Sequence, residues 1–394
     1  MSTFAVPIKR ILAMEPHPYA DALEFAVIDG YRSIVRKGEF RADNLVAYIP
    51  EGSLLPEWLL KRMGFWDAEK SCGKLNGKDG NRVKAIKLRG QLSQGICYPG
   101  DPVTFNDFDD DVEDGFVLHA DRSAVVVLGF VVREGDDVAD MLGITKYEQP
   151  VPVAMYGEVF NAGQELTLAF DVENWKSHPD LLVEGEEVIF TEKLHGTCTV
   201  VAILPYKDAH PEAFGEKKNI LVFSKGLGAK GLVFKNNERN RDNLYVRATR
   251  KLVERIDEEQ RDNPEGVAAP SFILGETFGP GVQDLAYGTE IGFRVFAAAS
   301  GYRGGQGYEN WSFVEGALKT RFGFETVPVC YRGPFSAVVM QEHTEGKTML
   351  AAGHIREGIV MVPAVDRYDS VIGRICLKSV SAAYLTRKGG TEYN

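Results

Sequence analysis

Val188-Ile189-Phe190-Thr191-Glu192-Lys193-Leu194-His195-Gly196-Thr197 carries an apolar run straight into a lysine and a glycine-bearing turn. The β-branched and aromatic run predicts a strand, and Gly196 predicts the turn that ends it. Lys193 therefore stands at a strand end, where a rigid element can present its side chain. Near neutral pH an amine with a reference pKa of about 10.4 is protonated, so it becomes a nucleophile only beside a cation or divalent metal, or in a buried site. Lysine, glycine and threonine at this spacing arise by chance in about one chain in ten of this length. Taken alone, the segment reads as a surface turn, and the residues around it must decide.

Downstream lie Phe223-Ser224-Lys225-Gly226, then Ile273-Leu274-Gly275-Glu276-Thr277-Phe278-Gly279-Pro280-Gly281-Val282-Gln283, then Phe293-Arg294-Val295-Phe296. Glu357-Gly358-Ile359-Val360-Met361 and Ile375-Cys376-Leu377-Lys378-Ser379 follow. Glu276 and Glu357 sit among apolar and glycine residues, where an unpaired carboxylate is costly, so each calls for a cation. Magnesium or manganese suits carboxylates and phosphate oxygens. In this order the segments resemble the motifs of the covalent nucleotidyltransferases, the superfamily of ATP-dependent ligases and mRNA capping enzymes. The Lys-x-His-Gly-Thr form and the Gly-Glu-x-x-Gly-Pro-Gly-x-Gln element resemble RNA ligases more than DNA ligases.

The resemblance implies roles. Lys193 would attack the α-phosphate of ATP and carry AMP. Glu192, Gly196, Lys225, Glu276, Phe296, Lys378 and Lys176 would contact the nucleotide, and Glu276 and Glu357 would hold Mg2+ or Mn2+. Phe293 is an alternative to Phe296 for stacking on adenine, and Lys176 reads equally well as a solvated lysine. Three departures from the family pattern stand out. Cys376 precedes Leu377-Lys378 where a second lysine is common, with Arg374 a possible substitute; Ala297 follows Phe296 where an acid is common; and His195 replaces an aspartate of some relatives, where it would weaken or redirect a metal-water contact.

The N-terminal part reads as short strands, Lys9 to Met14, Leu23 to Ile28, Arg32 to Val35, Leu45 to Ile49 and Arg82 to Leu88, whose spacing suggests a small barrel. Pro16-His17-Pro18-Tyr19-Ala20-Asp21-Ala22-Leu23-Glu24 resembles the opening of tRNA-binding OB-folds. Arg82, Lys84, Lys87 and Arg89 fall on a predicted strand, with Arg82 and Lys84 on one face and Lys87 and Arg89 on the other. They read either as an RNA-binding surface or as a charged edge protected against aggregation. Ala124 to Val132 predicts another strand, and Asp242 to Arg261 a helix, from Leu244, Ala248, Leu252, Val253 and Ile256.

The expected fold class is therefore α+β: an OB-fold β-barrel with linker over residues 1–150, then an adenylyltransferase domain over 151–394. That second domain would be of the ligase and capping-enzyme type, unrelated to ATP-grasp, with antiparallel sheets and flanking helices. An OB-like domain ahead of the transferase resembles the Deinococcus and Naegleria branch of RNA ligases.

With 394 residues, 44% hydrophobic, the chain is long enough for two or three such units. Its net charge of −11 opposes binding of nucleic acid by overall charge but leaves room for a local basic groove. The acidic run Asp107 to Asp114 reads as a solvated loop and lacks the spacing of an EF-hand. Five scattered cysteines, Cys72, Cys97, Cys198, Cys330 and Cys376, form no Cys-x-x-Cys pair. No leader and no run of about 18 apolar residues occurs, so a cytoplasmic protein is expected, with no membrane and no protein partner, a monomer. Gly346-Lys347-Thr348 lacks the earlier glycine of a phosphate-binding loop, since Gln341 stands there.

The expected activity is an ATP-dependent RNA ligase that joins a 5′-phosphate to a 3′-hydroxyl, on free ends or a nicked duplex, in RNA repair. The alternatives are a non-catalytic RNA-binding protein with a degenerate transferase domain, a DNA ligase, or a capping guanylyltransferase.

Overall fold

The computed structural model describes residues 4–102, 124–148, 153–263, 265–288, 290–350, 353–387 and 390. The chain divides into two compact units, residues 2–148 with Trp175–Pro179, and residues 149–174 with 180–394. Among the described residues no helix is long and apolar enough to cross a membrane. The acidic run Asp107 to Asp114 lies outside the described residues.

In the first unit the strand Leu45–Ile49 is buried along its whole length between Ile8–Arg10 and Ile96–Pro99. The expected strand Lys9 to Met14 is two strands, because the chain changes partner in the middle: Ile8–Arg10 pairs with Leu45 to Ala47, whereas Ala13–Pro16 pairs with Glu24 to Val27. One segment thus serves two sheets and turns a corner between them. Ala124 to Val132 is likewise a hairpin, Ala124–Val127 against Phe130–Arg133. Leu128 and Gly129, at φ 52° and 83°, make the left-handed pair that a two-residue hairpin turn requires.

The basic segment is also shorter as a strand than its pattern suggests. Only Ile86–Leu88 is strand, turning through Arg89 and Gly90 into Gln91–Ser93. Val83 and Ala85 are buried, which turns Arg82 and Lys84 outward, but Lys87 and Arg89 belong to the exposed hairpin and not to an opposite face of the same strand. The Arg82 guanidinium lies 3.6 Å from the centre of the Tyr147 ring.

The second unit holds two five-stranded sheets. One runs in the order Glu173–Asn174, Leu377–Val380, Gly358–Pro363, Glu187–Lys193, Val329–Pro334. The other runs Ile220–Ser224, Thr197–Ile203, Ser271–Phe278, Gly292–Ser300, Gly307–Tyr308. The second sheet is buried on both faces. Val201, Ile203, Val222, Ile273 and Val295 pack with Leu244, Leu252 and Ile256 of the helix, while Val200, Ala202, Phe223, Leu274 and Ala297 form a separate core behind them. Burial on both sides explains why these strands read as unbroken apolar runs. The helix spans Leu244–Arg261, two residues shorter than expected, because the Asn243 side chain caps it by accepting from the backbone N–H groups of Tyr245 and Val246.

Candidate active site

The lysine strand Glu187–Lys193 ends where the first sheet hands the chain to the second through Leu194, His195 and Gly196. Gly196 is required there: a Cβ would stand 2.2 Å from the Thr277 carbonyl oxygen and 3.0 Å from Glu276 Cγ. The Gln283 amide also donates to the Gly196 carbonyl. Gly358, directly opposite Lys193, is equally constrained, since a Cβ would meet the Ser379 carbonyl at 2.1 Å. Both glycines therefore allow backbones to close on the lysine.

Residues opposite one another in antiparallel strands share a face. Lys193 pairs with Gly358, Thr191 with Val360, and Val360 with Lys378, so Lys193, Thr191, Val360 and Lys378 project to one side. In the second sheet Cys198 pairs with Glu276 and Glu276 with Arg294. Phe296 is the extra residue of a bulge, because the register runs Leu274 with Ala297 and then Gly275 with Val295. A bulge re-aims a side chain, and Phe296 packs against the Phe170 ring, 6.0 Å away, beside the core that contains Leu274 and Ala297. Phe293 pairs with Thr277, on the opposite side of the strand from Glu276. Of the two expected stacking residues, Phe296 shares the face of Glu276.

Glu357 Oε1 lies 2.6 Å from Lys193 Nζ. Burial alone would raise the Glu357 carboxyl, but Lys193 and then His195 outweigh it and hold the group below the usual carboxylate range. Glu276 goes the other way. Burial, with Glu357 adding to it against Lys193, pushes its pKa up to about 8. Two carboxylates in one buried place therefore carry unequal charge, the pattern that a further cation would relieve. Cys198, opposite Glu276, is kept protonated by burial and by that carboxylate. Lys378 is lowered by burial and by Lys193. Lys225 Nζ is 3.0 Å from Asp171.

The raised Glu276 carboxyl yields a prediction. Between the unfolded value near 4.5 and the folded value near 8 the native state holds a proton that the unfolded state has released, so ligand-free stability falls as pH rises through this window. Glu276→Gln mimics the neutral form and escapes that loss. Thermal melts should show the variant more stable than wild type above pH 8, with the gap closing toward pH 5; equal gaps at both ends would contradict the raised value.

His195 is buried, with Nε2 2.7 Å from Asp284 Oδ1 and Nδ1 2.8 Å from the Tyr384 hydroxyl. Arg387 closes the group, bonding both Asp284 oxygens at 2.8 and 2.9 Å and stacking 3.6 Å over Tyr384. The His195 backbone N–H donates to the Tyr287 hydroxyl at 2.8 Å. Asp171, Asp284, Tyr287, Tyr384 and Arg387 were not singled out in the sequence. Asp284 follows Gln283 of the glycine-rich element, and that adjacency is the one available signal.

Three residues expected to contact the nucleotide have protein partners of their own. The Glu192 side chain alternates to the reverse face of the lysine strand, where Oε2 accepts from Met349 N–H at 2.7 Å. Lys176 belongs to the first unit, and its ammonium bonds Gln94 there. Arg374, the candidate substitute for the missing second lysine, is paired with Asp366 at 2.9 Å.

Among the described residues no three His, Cys, Asp or Glu side chains converge to hold a metal on protein ligands alone. Glu276 and Glu357 nevertheless fit a cation that takes its remaining ligands from phosphate and water, as magnesium commonly does.

An OB-fold domain model matches residues 5–100, and an RNA ligase model matches residues 186–380. No curated protein sequence matches the chain. Among solved structures, the chain is similar to an RNA ligase of Naegleria gruberi in a lysine-to-alanine mutant with ATP and Mn, at 21% identity and TM-score 0.67 over 96% of this chain and 97% of that one. The same ligase with PPi matches at 21% identity and TM-score 0.66 over 97% and 98%. Lys193, Glu276, Glu357 and Lys378 all fall within the matched ligase segment, and the chain carries an RNA ligase family domain over residues 186–380 behind an OB-fold domain over residues 5–100.

Proposed function

We propose that the chain uses ATP and Mg2+ or Mn2+ to seal an RNA 5′-phosphate to a 3′-hydroxyl, as a cytoplasmic monomer engaged in RNA repair. The observation that carries this reading is Lys193 Nζ at 2.6 Å from a buried Glu357, on the same side as Lys378. Unprotonated Lys193 attacks the ATP α-phosphorus; the N–P bond forms as the bond to pyrophosphate breaks. Glu357 Oε1 is positioned to hold the amine's hydrogen and orient its lone pair. An RNA 5′-phosphate oxygen then attacks the same phosphorus, releasing the lysine, and the 3′-hydroxyl finally displaces AMP. Lys378 and Lys225 would bind phosphate oxygens as charge develops. Phe296 and Val360 offer apolar surfaces for adenine, and Glu276 a carboxylate for ribose or metal. A cation at Glu276 and Glu357 would neutralise charge on the reacting phosphate.

Incubation with α-labelled ATP and magnesium or manganese should leave label on the protein; unlabelled wild type would sink the reading. Sealing of nicked duplexes that vary RNA and DNA on each side should depend on a 2′-hydroxyl in the 3′-hydroxyl strand. Equal sealing of all-DNA nicks would identify a DNA ligase instead.

The exposed Lys87 and Arg89 are the proposed RNA contacts of the OB-fold domain, whereas Arg82 holds Tyr147. Replacing Lys87 and Arg89 together by Ala should weaken RNA binding and reduce the salt slope by about 2, without lowering the melting temperature. Arg82→Ala should lower the melting temperature; the reverse pattern would move RNA contact to Arg82.

A further inference from the structure

Glu192 neighbours the nucleophile in sequence but faces away from it, and it is almost completely buried, at 1% exposure. Its Oε2 accepts from Met349 N–H at 2.7 Å, while Oε1 is buried with no hydrogen-bond partner. A buried carboxylate so sparsely bonded is costly, and its retention calls for a reason.

Met349 follows a segment that pairs with the residues just ahead of Glu357. Lys347 bridges Ile355, Thr348 N–H donates to the His354 carbonyl at 3.0 Å, and Arg356 N–H donates to the Gly346 carbonyl at 2.9 Å. The Arg356 guanidinium, itself buried, locks the base of this pairing by donating to the carbonyls of His343 at 2.8 Å and Lys347 at 3.0 Å. The next residue is Glu357. The paired segments meet the lysine turn a second time through His354, whose ring packs 4.6 Å from Tyr287, the residue that receives His195 N–H. The backbone around Glu192 is anchored as well, its N–H donating to the Pro328 carbonyl at 2.8 Å.

We propose that Glu192 is a positioning residue: it grips residues 346–350 through Met349 N–H and, through their pairing with residues 353–356, sets Glu357 against Lys193, and its side chain does not contact the nucleotide. The inference rests on the ligase reading above. A displacement of about 1 Å at Glu357 is enough to cost on the order of 100-fold in a reaction that needs aligned groups. The bond uses a carboxylate oxygen as an acceptor, so an amide oxygen can replace it.

The test is the rate of self-labelling with α-labelled ATP, measured across ATP and manganese concentrations, with thermal melts alongside. Glu192→Ala should lower the rate at saturating ATP by about tenfold or more, leave KM for ATP within about twofold, and require more manganese. Glu192→Gln should recover to within about threefold of wild type. A raised KM with an unchanged rate would show nucleotide contact and overturn the proposal, as would Gln as impaired as Ala, or Ala without effect. Should Glu192→Ala not fold, Met349→Pro, which removes the donor at an exposed residue while also fixing its φ, must reproduce the rate loss, with Met349→Ala as the control that keeps the N–H and the rate; an unchanged rate in Met349→Pro overturns the proposal. Failure of wild type to label would instead defeat the ligase reading itself.

Discussion

Lys193→Ala is expected to eliminate protein-bound AMP and to reduce sealing of 5′-phosphate RNA by at least about a thousandfold, since loss of a covalent nucleophile removes the step that every later one needs. The amine is the group that touches Glu357, at 2.6 Å, and among the described residues nearby no other side chain offers a comparable nucleophile: Cys198 is held protonated, and Lys378 projects from a strand two removed from that of Lys193. The informative control is RNA that already carries AMP on its 5′ end. Its joining uses the 3′-hydroxyl and the cationic surroundings but not the lysine amine, so the variant should retain much of the wild-type rate on it. A variant that fails on both substrates would indicate that Lys193 is needed to keep Glu357 and Glu276 in place. Melting temperature distinguishes that case, because loss of the ammonium would leave a buried carboxylate uncompensated.

Much of the proposed site is legible in the chain because its candidate reacting groups lie in short ordered segments in or beside strands. Lys193 and Glu276 follow apolar runs, Glu357 immediately precedes one, and Lys378 lies just inside another; the strands they belong to or adjoin are those of the two sheets. What could not be read are the contacts that join distant segments without local pattern. His195 meets Asp284 across 89 positions and Tyr384 across 189, and Arg387 closes the group from a four-residue helix's far side, where no periodicity announces it. The choice between Phe293 and Phe296 depended on a bulge, which adds one residue to a strand without changing its composition. Ala124 to Val132 looked like one strand because its turn, Leu128-Gly129, keeps the run apolar; Gly129 was the lone sign. Glu192 shows the limit of motif proximity. Adjacent residues in a strand point to opposite faces, so standing beside the nucleophile in sequence places a side chain away from it in space.

Glu357→Ala should reduce lysyl-AMP formation by about 100- to 1000-fold, the usual cost of removing one preorganised charged contact from a reacting centre. Glu357→Gln separates the two things this residue supplies. The amide keeps an oxygen that can accept from Lys193, so if orientation of the amine dominates, Gln should recover a large part of the rate. If the negative charge dominates, by holding a cation at the phosphate, Gln should resemble Ala, and added manganese should not rescue either variant fully. A second consequence falls on Glu276, whose carboxyl is raised by burial and also by the Glu357 charge. Neutralising Glu357 removes that repulsion while Lys193 remains, so Glu276 should ionise at a lower pH than about 8. The stability gap between the Glu276→Gln, Glu357→Gln double variant and Glu357→Gln alone should then be smaller, and level off at lower pH, than the gap between Glu276→Gln and wild type. Identical pH profiles for the two gaps would mean that the carboxylates do not sense one another, and a shared cation between them would lose its support.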